Sequence, residues 1–379
     1  MKLAGLTWWR NNYGSILQAY ALQNFLNEFG CIEYEIICQY GKKIASFDNL
    51  ADKIRTIGLI PSLKRIVWKF GSKKLRNRNR NIQKFVDENL KISKEQYNED
   101  TIVDANKRYD GFVCGSDQIW NPVLSPLNSM YWLTFAEDSK LKLSYAPSIG
   151  VDRVTEEQTK IIRQNLSQFD AVSCREECGT KLINGILKKE VCSTVLDPTL
   201  LVDVRMWDCL SENRKFEFPY VFTYMLRGNK RQRQLVEEFA KRKGLKIVTI
   251  PFLEADYIES YDFKFGHIKL WEASPQDFIN AIRYAEYVFT DSYHCMIFSC
   301  IYHREFFIFP KTGKAQMNRL MDFQNLLHIS NRILYDGSIV EDMEGLEQIS
   351  WNRVDQSIRE KRELSRNYLR SVIKENADA

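Results

Sequence analysis

Residues 286–300, with the sequence EYVFTDSYHCMIFSC, combine a histidine with the pattern of a strand that runs directly into a helix. The apolar run up to Thr290 predicts the strand, the apolar run after Ser292 predicts the helix, and Asp291 lies between them. His294, one of four histidines in the chain, then lies in the first turn of the helix. Backbone N–H groups are unpaired there and the helix dipole favours negative charge. The junction therefore predicts binding of a small molecule that carries phosphate or carboxylate.

Other polar residues follow predicted strands in the same way. Asn12, Tyr13 and Gly14 follow the first strand, Asp117 and Trp120 follow GFVCG, Arg175 follows DAVSC, and Arg227 follows YVFTYM. Because ligands bind outside the carboxyl ends of parallel strands, we expect these residues to line one cleft. Arg175 and Asp197, which ends the run STVLD, are equally consistent with an ion pair between two loops.

Short apolar runs alternate with helical patterns along the whole chain. The runs are LAGLT, EYEIIC, GFVCG, KLSYA, DAVSC and STVLD in the first half and YVFTYM, LKIVTI, EYVFT and FFIF in the second. This alternation predicts an α/β fold with two doubly wound, Rossmann-like parallel sheets. The polar segment 203–219 predicts a linker between them. A helix is expected over residues 14–29, and Ser274 followed by Pro275 predicts another helix start.

A chain of 379 residues exceeds the size at which a single hydrophobic core stops growing, so two domains are expected. We predict an N-terminal α/β domain over residues 1–205, with a basic helical insertion over about 41–95. A C-terminal α/β domain follows over residues 206–345. The charged residues 346–379 predict a helical tail.

The overall charge does not indicate a nucleic-acid partner, because 54 Lys and Arg against 49 Asp and Glu leave only +5. Local charge is different: residues 53–84 hold eleven Lys or Arg and no Asp or Glu. This segment includes Trp68 and Phe70, so a basic amphipathic helix in peripheral contact with an anionic membrane surface is one interpretation. A solvated helical insertion or a lid explains the same composition.

The nine cysteines are odd in number and scattered, which predicts reduced thiols rather than a disulfide framework. The chain has no HExxH pattern and no paired CxxC spacing, so neither a metal nor a bound cofactor is expected. The N-terminus lacks the apolar core of a signal peptide, and no apolar run approaches the ~20 residues of a membrane span. We therefore expect a cytoplasmic protein, acting at the inner face of the membrane if the basic segment contacts lipid.

Four segments carry a specific resemblance: NNYGSILQAYALQNFL, FVCGSDQIWNP, VSCREECGTKL and SPQDFINAIRYAEYVFTDSYHCMIFS. Together they resemble the polysaccharide pyruvyl transferase family over roughly residues 3–330. The resemblance implies a two-domain fold similar to the glycosyltransferase B fold. It also implies transfer of the pyruvyl unit of phosphoenolpyruvate to a sugar, forming a ketal. The implied acceptor is a capsule or exopolysaccharide glycan or its lipid-linked oligosaccharide precursor, and phosphoenolpyruvate is a co-substrate rather than a cofactor.

The implied donor needs an acid and cations. His294 can protonate the enol carbon, because imidazole is the side chain that ordinarily titrates near neutral pH. Arg227 is expected to bind phosphate or carboxylate through its forked donors. Asp291 and Ser292, just before His294, are expected to belong to the same donor site. Family members often carry arginine where this chain has Ser292. Arg319 could supply that missing charge, although a solvated helix arginine is an equally good interpretation.

The acceptor side is expected at the first sheet. Asp117 can take a proton from the attacking hydroxyl, and Trp120 can stack on a sugar ring. Asn12, Tyr13 and Gly14 are expected at the cleft rim, with Arg175 as a further cleft residue.

Two other functions fit the same residues. A nucleotide-sugar glycosyltransferase would share the two-domain plan, and Ser292 in place of arginine keeps that alternative open. A non-catalytic glycan-binding protein would bind sugar and tolerate loss of Asp117 and His294. Fold alone cannot separate the three.

Overall fold

The computed structural model describes residues 1–10, 12–39, 72–252, 260–310 and 314–377. Two five-stranded parallel sheets form its centre, and a smaller two-stranded sheet lies between them in the chain. The first sheet contains β1 (Lys2–Leu6), β2 (Glu33–Gln39), β3 (Ile92–Tyr97), β4 (Gly111–Cys114) and β5 (Leu141–Ser144). The small sheet contains β6 (Val172–Cys174) and β7 (Cys192–Thr194). The second sheet contains β8 (Tyr220–Tyr224), β9 (Lys246–Thr249), β10 (Ile268–Lys269), β11 (Tyr287–Thr290) and β12 (Glu305–Ile308).

The helices cover both sheets and the junction between them. They are α1 (Tyr13–Asn27), α2 (Lys73–Asn89), α3 (Glu156–Leu166), α4 (Glu177–Leu187), α5 (Val204–Cys209), α6 (Lys230–Arg242), α7 (Pro275–Arg283), α8 (Tyr293–Ile301), α9 (Lys314–Leu326), α10 (Val340–Glu344) and α11 (Trp351–Ala377). We call the chain up to β7 the first half and the chain from β8 onward the second half. Short 3₁₀ turns cover Ile102–Lys107, Met130–Trp132, Pro198–Leu200 and Ser260–Phe263.

Both large sheets have the same order, with the first strand of each set at the centre. The first sheet runs β3-β2-β1-β4-β5 and the second runs β10-β9-β8-β11-β12. In each, the direction of strand addition reverses beside the central strand, between β1 and β4 and between β8 and β11. Ligands of open α/β sheets bind outside the carboxyl ends at such a reversal point. Most of the polar residues named above follow these four strands. The exceptions are Arg175, which follows β6, Asp197, which follows β7, and Arg319, which lies in α9.

Local sequence explains the strands and helix starts nearest the junction. β11 reads YVFT, a β-branched and aromatic run that suits a strand covered on both faces. Ser274 caps α7 by accepting a hydrogen bond from Asp277 N at 3.1 Å, and Pro275 occupies the first helical position. These starts confirm the predicted helix at Ser274.

Two features differ from the sequence predictions, and the helical tail has a placement that the sequence left open. β3 reads ISKEQY and β10 has only two residues; both are edge strands, and neither has the apolar run that the prediction used. Segment 203–219 was predicted as a linker, but it contains α5, whose Trp207 is fully buried and lies 5.0 Å from the ring of Phe298. The helical tail returns to the first half, where Tyr368 Oη donates to Ser144 O at 2.9 Å.

One hydrophobic cluster joins the two halves. It includes α1 from the first half, α7 and α8 from the second half, and α11. At its centre the Tyr13 ring stacks on Phe278, with ring centroids 5.2 Å apart. Because burial of apolar area is the main stabilising term, this cluster fixes the junction where the polar residues meet.

Some predictions concern residues outside the described ranges. The basic insertion falls largely on residues 40–71, which include Trp68 and Phe70, so its membrane interpretation lies outside the described residues. Its C-terminal part forms α2, which buries Ile82, Phe85 and Val86 at the junction. Among the described helices, none is long and apolar enough to cross a membrane. The domain bounds at 205 and 345 stay a prediction.

All nine cysteines are free. Six are buried and Cys178 is partly buried, whereas Cys31 and Cys209 are exposed. Most of the free thiols are therefore buried.

Candidate functional site

The first turns of α1 and α8 meet at the junction. Asn12 caps α1 by accepting a hydrogen bond from Gly14 N at 2.9 Å. A Cβ atom built on Gly14 would lie 2.1 Å from His294 Nδ1, closer than any real contact. The close approach of the two helices therefore requires glycine at this position. It brings the strand-end loop of β1 against the histidine that follows β11.

This contact predicts the effect of Gly14→Ala. The added methyl group should displace the imidazole and lower the free energy of unfolding by about 1–3 kcal/mol, as overpacking does. The histidine side-chain NMR signals and the urea unfolding midpoint would report both effects. Gly185→Ala in α4 is the matched control, because its Cβ meets nothing within 4 Å. Unchanged His294 signals in Gly14→Ala would contradict the contact.

A buried carboxylate holds the imidazole from the other side. Asp197 is 1% exposed, and its Oδ2 lies 3.3 Å from His294 Nε2 and 2.8 Å from Arg175 Nη1. The Asp197–His294 distance suits an ion pair, although Nε2 makes no hydrogen bond to any residue that the structure describes. Thr199 donates to Oδ1 through its backbone N at 3.0 Å and its hydroxyl at 2.7 Å. The alternative of an Arg175–Asp197 ion pair between loops is confirmed.

These contacts decide the charge of Asp197. Burial on its own raises the pKa of the carboxyl group, but His294, Arg175 and the Thr199 hydroxyl together outweigh it and hold the pKa below its ordinary value. The carboxylate therefore stays charged at neutral pH. A charged Asp197 can orient the imidazole.

Asp197→Asn should destabilise the protein strongly. Losing one partner leaves Arg175 buried without its carboxylate, which costs about 3–5 kcal/mol. Because the folded pKa of Asp197 lies below the unfolded value of about 3.9, its stabilisation is complete above that pH and is lost as the pH falls further. Denaturant unfolding at pH 7, 5, 4 and 3 should thus show that the variant has a lower free energy of unfolding than wild type. The difference should be constant except at the lowest pH, where it shrinks. Asp336→Asn, at an exposed turn, is the control. An equal loss of unfolding free energy in that variant would contradict the stabilising role of Asp197.

Two buried arginines from different halves flank one tyrosine. The guanidinium carbon of Arg175 lies 4.4 Å from the ring centroid of Tyr293. The guanidinium carbon of Arg319, in α9, lies 5.7 Å from the same centroid. Arg319 is 5% exposed, and its pKa is lowered by burial first and then by the positive charge of Arg175. Nε and Nη2 of Arg175 and Nε of Arg319 have no hydrogen-bond partner within the described parts of the chain. Guanidinium donors without a partner are suited to bind an anion.

Asp117 joins the same cluster from the first sheet. Its backbone has φ of 85°, a left-handed conformation that is uncommon for a residue with a side chain. Oδ2 accepts a hydrogen bond from the Ser15 hydroxyl in α1, and Oδ1 accepts one from Gln118 N at 2.8 Å. The side chain is thus fixed beside Gly14, the residue that contacts His294.

Trp120 and Tyr13 correct two predictions. The Trp120 indole is fully buried, stacks on Trp132 at 5.1 Å and donates to Tyr131 O, so it has no face available for a sugar. Tyr13 is fully buried rather than at a cleft rim: its hydroxyl donates to Ala273 O at 2.9 Å. Both rings stabilise the fold.

The loop after β11 is also arranged differently from the prediction. Both carboxylate oxygens of Asp291 accept backbone N–H groups, from Leu226 at 2.7 Å and Arg227 at 2.8 Å. Asp291 therefore positions the loop after β8 rather than binding a donor. The Arg227 side chain is exposed, and Ser292 is the N-cap residue of α8 without a side-chain cap bond.

Sequence reasoning missed three contributors: Ser15, Tyr293 and the contact of Asp197 with His294. A signal existed for Asp197, because it follows an apolar run as the other candidates do. Within the described ranges, no group of three or more His, Cys, Asp or Glu side chains could hold a metal ion.

Several solved structures share the fold. The UDP-GlcNAc 2-epimerase from Methanocaldococcus jannaschii has 10% identity and a TM-score of 0.54, covering 95% of this chain and 92% of that one. A putative UDP-N-acetylglucosamine 2-epimerase from Listeria monocytogenes has 11% identity, a TM-score of 0.50 and coverage of 99% and 96%. The wall teichoic acid polymerase TagF has 10% identity, a TM-score of 0.50 and coverage of 100% and 89%. At such identities the likeness concerns the fold alone, and it confirms the predicted two-domain glycosyltransferase B architecture.

Sequence comparison identifies the family. No curated protein matches the chain in sequence. Residues 12–310 match the family model described as polysaccharide pyruvyl transferase, which is most of the chain. The match includes Gly14, Asp117, Arg175, Asp197 and His294. The chain therefore belongs to the polysaccharide pyruvyl transferase family.

Proposed function

We propose that this protein transfers the pyruvyl group of phosphoenolpyruvate to a sugar of a cell-surface glycan or its lipid-linked precursor, forming a pyruvate ketal. Family membership supports a polysaccharide-modifying transferase. The observation that carries the proposal is the arrangement of His294 between Gly14 and the buried Asp197, in a cluster with two buried arginines.

The donor matches the two arginines of this cluster. Phosphoenolpyruvate carries a phosphate and a carboxylate, and Arg175 and Arg319 offer unused guanidinium donors. Binding an anion there would relieve the repulsion between two buried cations. Arg319 is therefore proposed as the cation that Ser292 does not supply, whereas the exposed Arg227 is proposed to contact the donor from the loop after β8.

The reaction needs one acid and one base. His294 delivers a proton to the methylene carbon of the donor, which becomes a methyl group and leaves positive charge at the adjacent carbon. A sugar hydroxyl attacks that carbon and Asp117 accepts its proton. The C–O bond to phosphate then breaks, and a second hydroxyl closes the ketal while its proton leaves with inorganic phosphate.

The test combines purified protein, phosphoenolpyruvate and candidate glycans. The proposal requires release of inorganic phosphate that depends on the acceptor, together with pyruvate ketal in the product by NMR. Thermal-shift measurements should show stabilisation by phosphoenolpyruvate, because a ligand that binds only the folded state stabilises it. Stabilisation by nucleotide sugars instead, with no phosphate release, would favour a glycosyltransferase and contradict the proposal.

A further inference from the structure

A cavity opens between α2 of the first half and α7 of the second half. It encloses about 450 Å³ and is bounded by α2, by residues 209–215 and by the first turn of α7. Ligand sites commonly enclose about 300–1,000 Å³. Asn81 Nδ2 in α2 donates to Glu272 O at 2.7 Å, so the cavity wall bridges the halves.

The charges that line the cavity nearly cancel. Lys84 and Lys215 contribute two positive charges, and Glu88, Glu212 and Asp277 contribute three negative ones. A net charge of −1 disfavours an anion such as phosphate. Most of the remaining lining side chains are amides and hydroxyls, which offer donors and acceptors to an uncharged polar ligand.

One lining residue has an unused acceptor. Asn280 is 4% exposed, and its Nδ2 donates to Ser211 O at 3.2 Å and Asn213 O at 2.7 Å. Its Oδ1 has no partner in the part of the chain that the structure describes. A buried acceptor without a donor costs about 1–3 kcal/mol.

We propose that this cavity binds an uncharged sugar unit of the acceptor glycan, away from the unit that reacts. Sugar hydroxyls both donate and accept hydrogen bonds. The amides of the cavity can do both as well, and its carboxylates accept. The inference rests on the proposed function, because it assumes a glycan acceptor.

A series of packed residues connects the cavity wall to His294. Phe278, which lies between the lining residues Asp277 and Asn280 in α7, stacks on Tyr13 with ring centroids 5.2 Å apart. Gly14 follows Tyr13 and lies against His294.

Gln276→Trp tests the proposal. Gln276 is partly exposed at the second position of α7 and lines the cavity, so tryptophan should fill it. The probes are uncharged methyl glycosides of hexoses and N-acetylhexosamines. Saturation-transfer NMR measures their binding. We expect wild type to bind at least one glycoside and Gln276→Trp to bind it about tenfold more weakly or worse, with phosphoenolpyruvate affinity within about twofold.

Two controls keep the outcome clear. Gln356→Trp, on the exposed face of α11, should leave glycoside binding unchanged. If Gln276→Trp does not fold, Gln276→Ala removes the amide without adding volume and should still weaken binding. Glycoside binding that ignores both Gln276 variants, or no glycoside binding by wild type, would overturn the proposal. Glycoside binding that depends on Gln276 without any phosphate release would uphold this inference and refute the proposed function.

Discussion

His294→Gln is expected to lower the rate of acceptor-dependent phosphate release by about 10²–10⁴-fold, the range that positioned general acids contribute. Glutamine preserves a polar side chain beside Gly14 and Asp197 but cannot deliver the proton. Affinity for phosphoenolpyruvate should change little, because Arg175 and Arg319 remain. Steady-state phosphate release and calorimetric binding measure the two effects separately.

His303→Gln is the matched control for this prediction. His303 lies just beyond the other end of α8, is partly exposed, and its Nε2 is 2.9 Å from Asp355 Oδ1. It should keep phosphate release within about twofold of wild type, as an exposed substitution away from the site does. If His294→Gln kept full activity, or if both variants lost it equally, His294 would not be the acid.

Arg319→Met should stabilise the protein and weaken donor binding at once. Arg319 is buried, near another arginine, and its Nε is unpartnered among the described residues. Replacing such a group with an apolar one of similar shape is neutral or stabilising by about 1–4 kcal/mol. Affinity for phosphoenolpyruvate should fall about 10- to 100-fold, because a hydrogen bond to a charged group contributes about 1.5–3 kcal/mol.

Arg332→Met is the control for removal of a buried arginine outside the proposed donor site. Arg332 is 1% exposed, but its Nη2 donates to Glu347 O and its Nη1 lies 3.5 Å from Glu305. Its loss should lower the free energy of unfolding and leave donor affinity unchanged. Denaturant unfolding and donor titration of both variants give the comparison. An Arg319→Met protein that is destabilised and binds the donor normally would show that Arg319 is a structural residue.

The fold was predictable because the pattern is local. Apolar runs such as YVFT identify central strands that are covered on both faces, and Ser274 with Pro275 identifies a helix start. The polar edge strand ISKEQY gave no such signal, since one edge of an edge strand has no neighbour to pair with. The two-residue β10 is too short for any pattern to mark it.

The site was predictable only in part. Strand ends placed Gly14, Asp117, Arg175 and His294 near a common crevice, because parallel strands end at one edge of a sheet. Contacts across the junction were not predictable, since Asp197 and His294 are distant in sequence and meet only when the two halves pack. Packing within the first half, against Trp132 and Phe169, buries Trp120, which sequence position alone placed in an accessible loop.

A crystal structure of the protein with phosphoenolpyruvate would test the central claim most directly. The account predicts phosphate or carboxylate oxygens within hydrogen-bond distance of Arg175 and Arg319, with the methylene carbon facing the His294 imidazole. Phosphoenolpyruvate bound away from these three side chains, with Arg175 and Arg319 still lacking an anion, would contradict it.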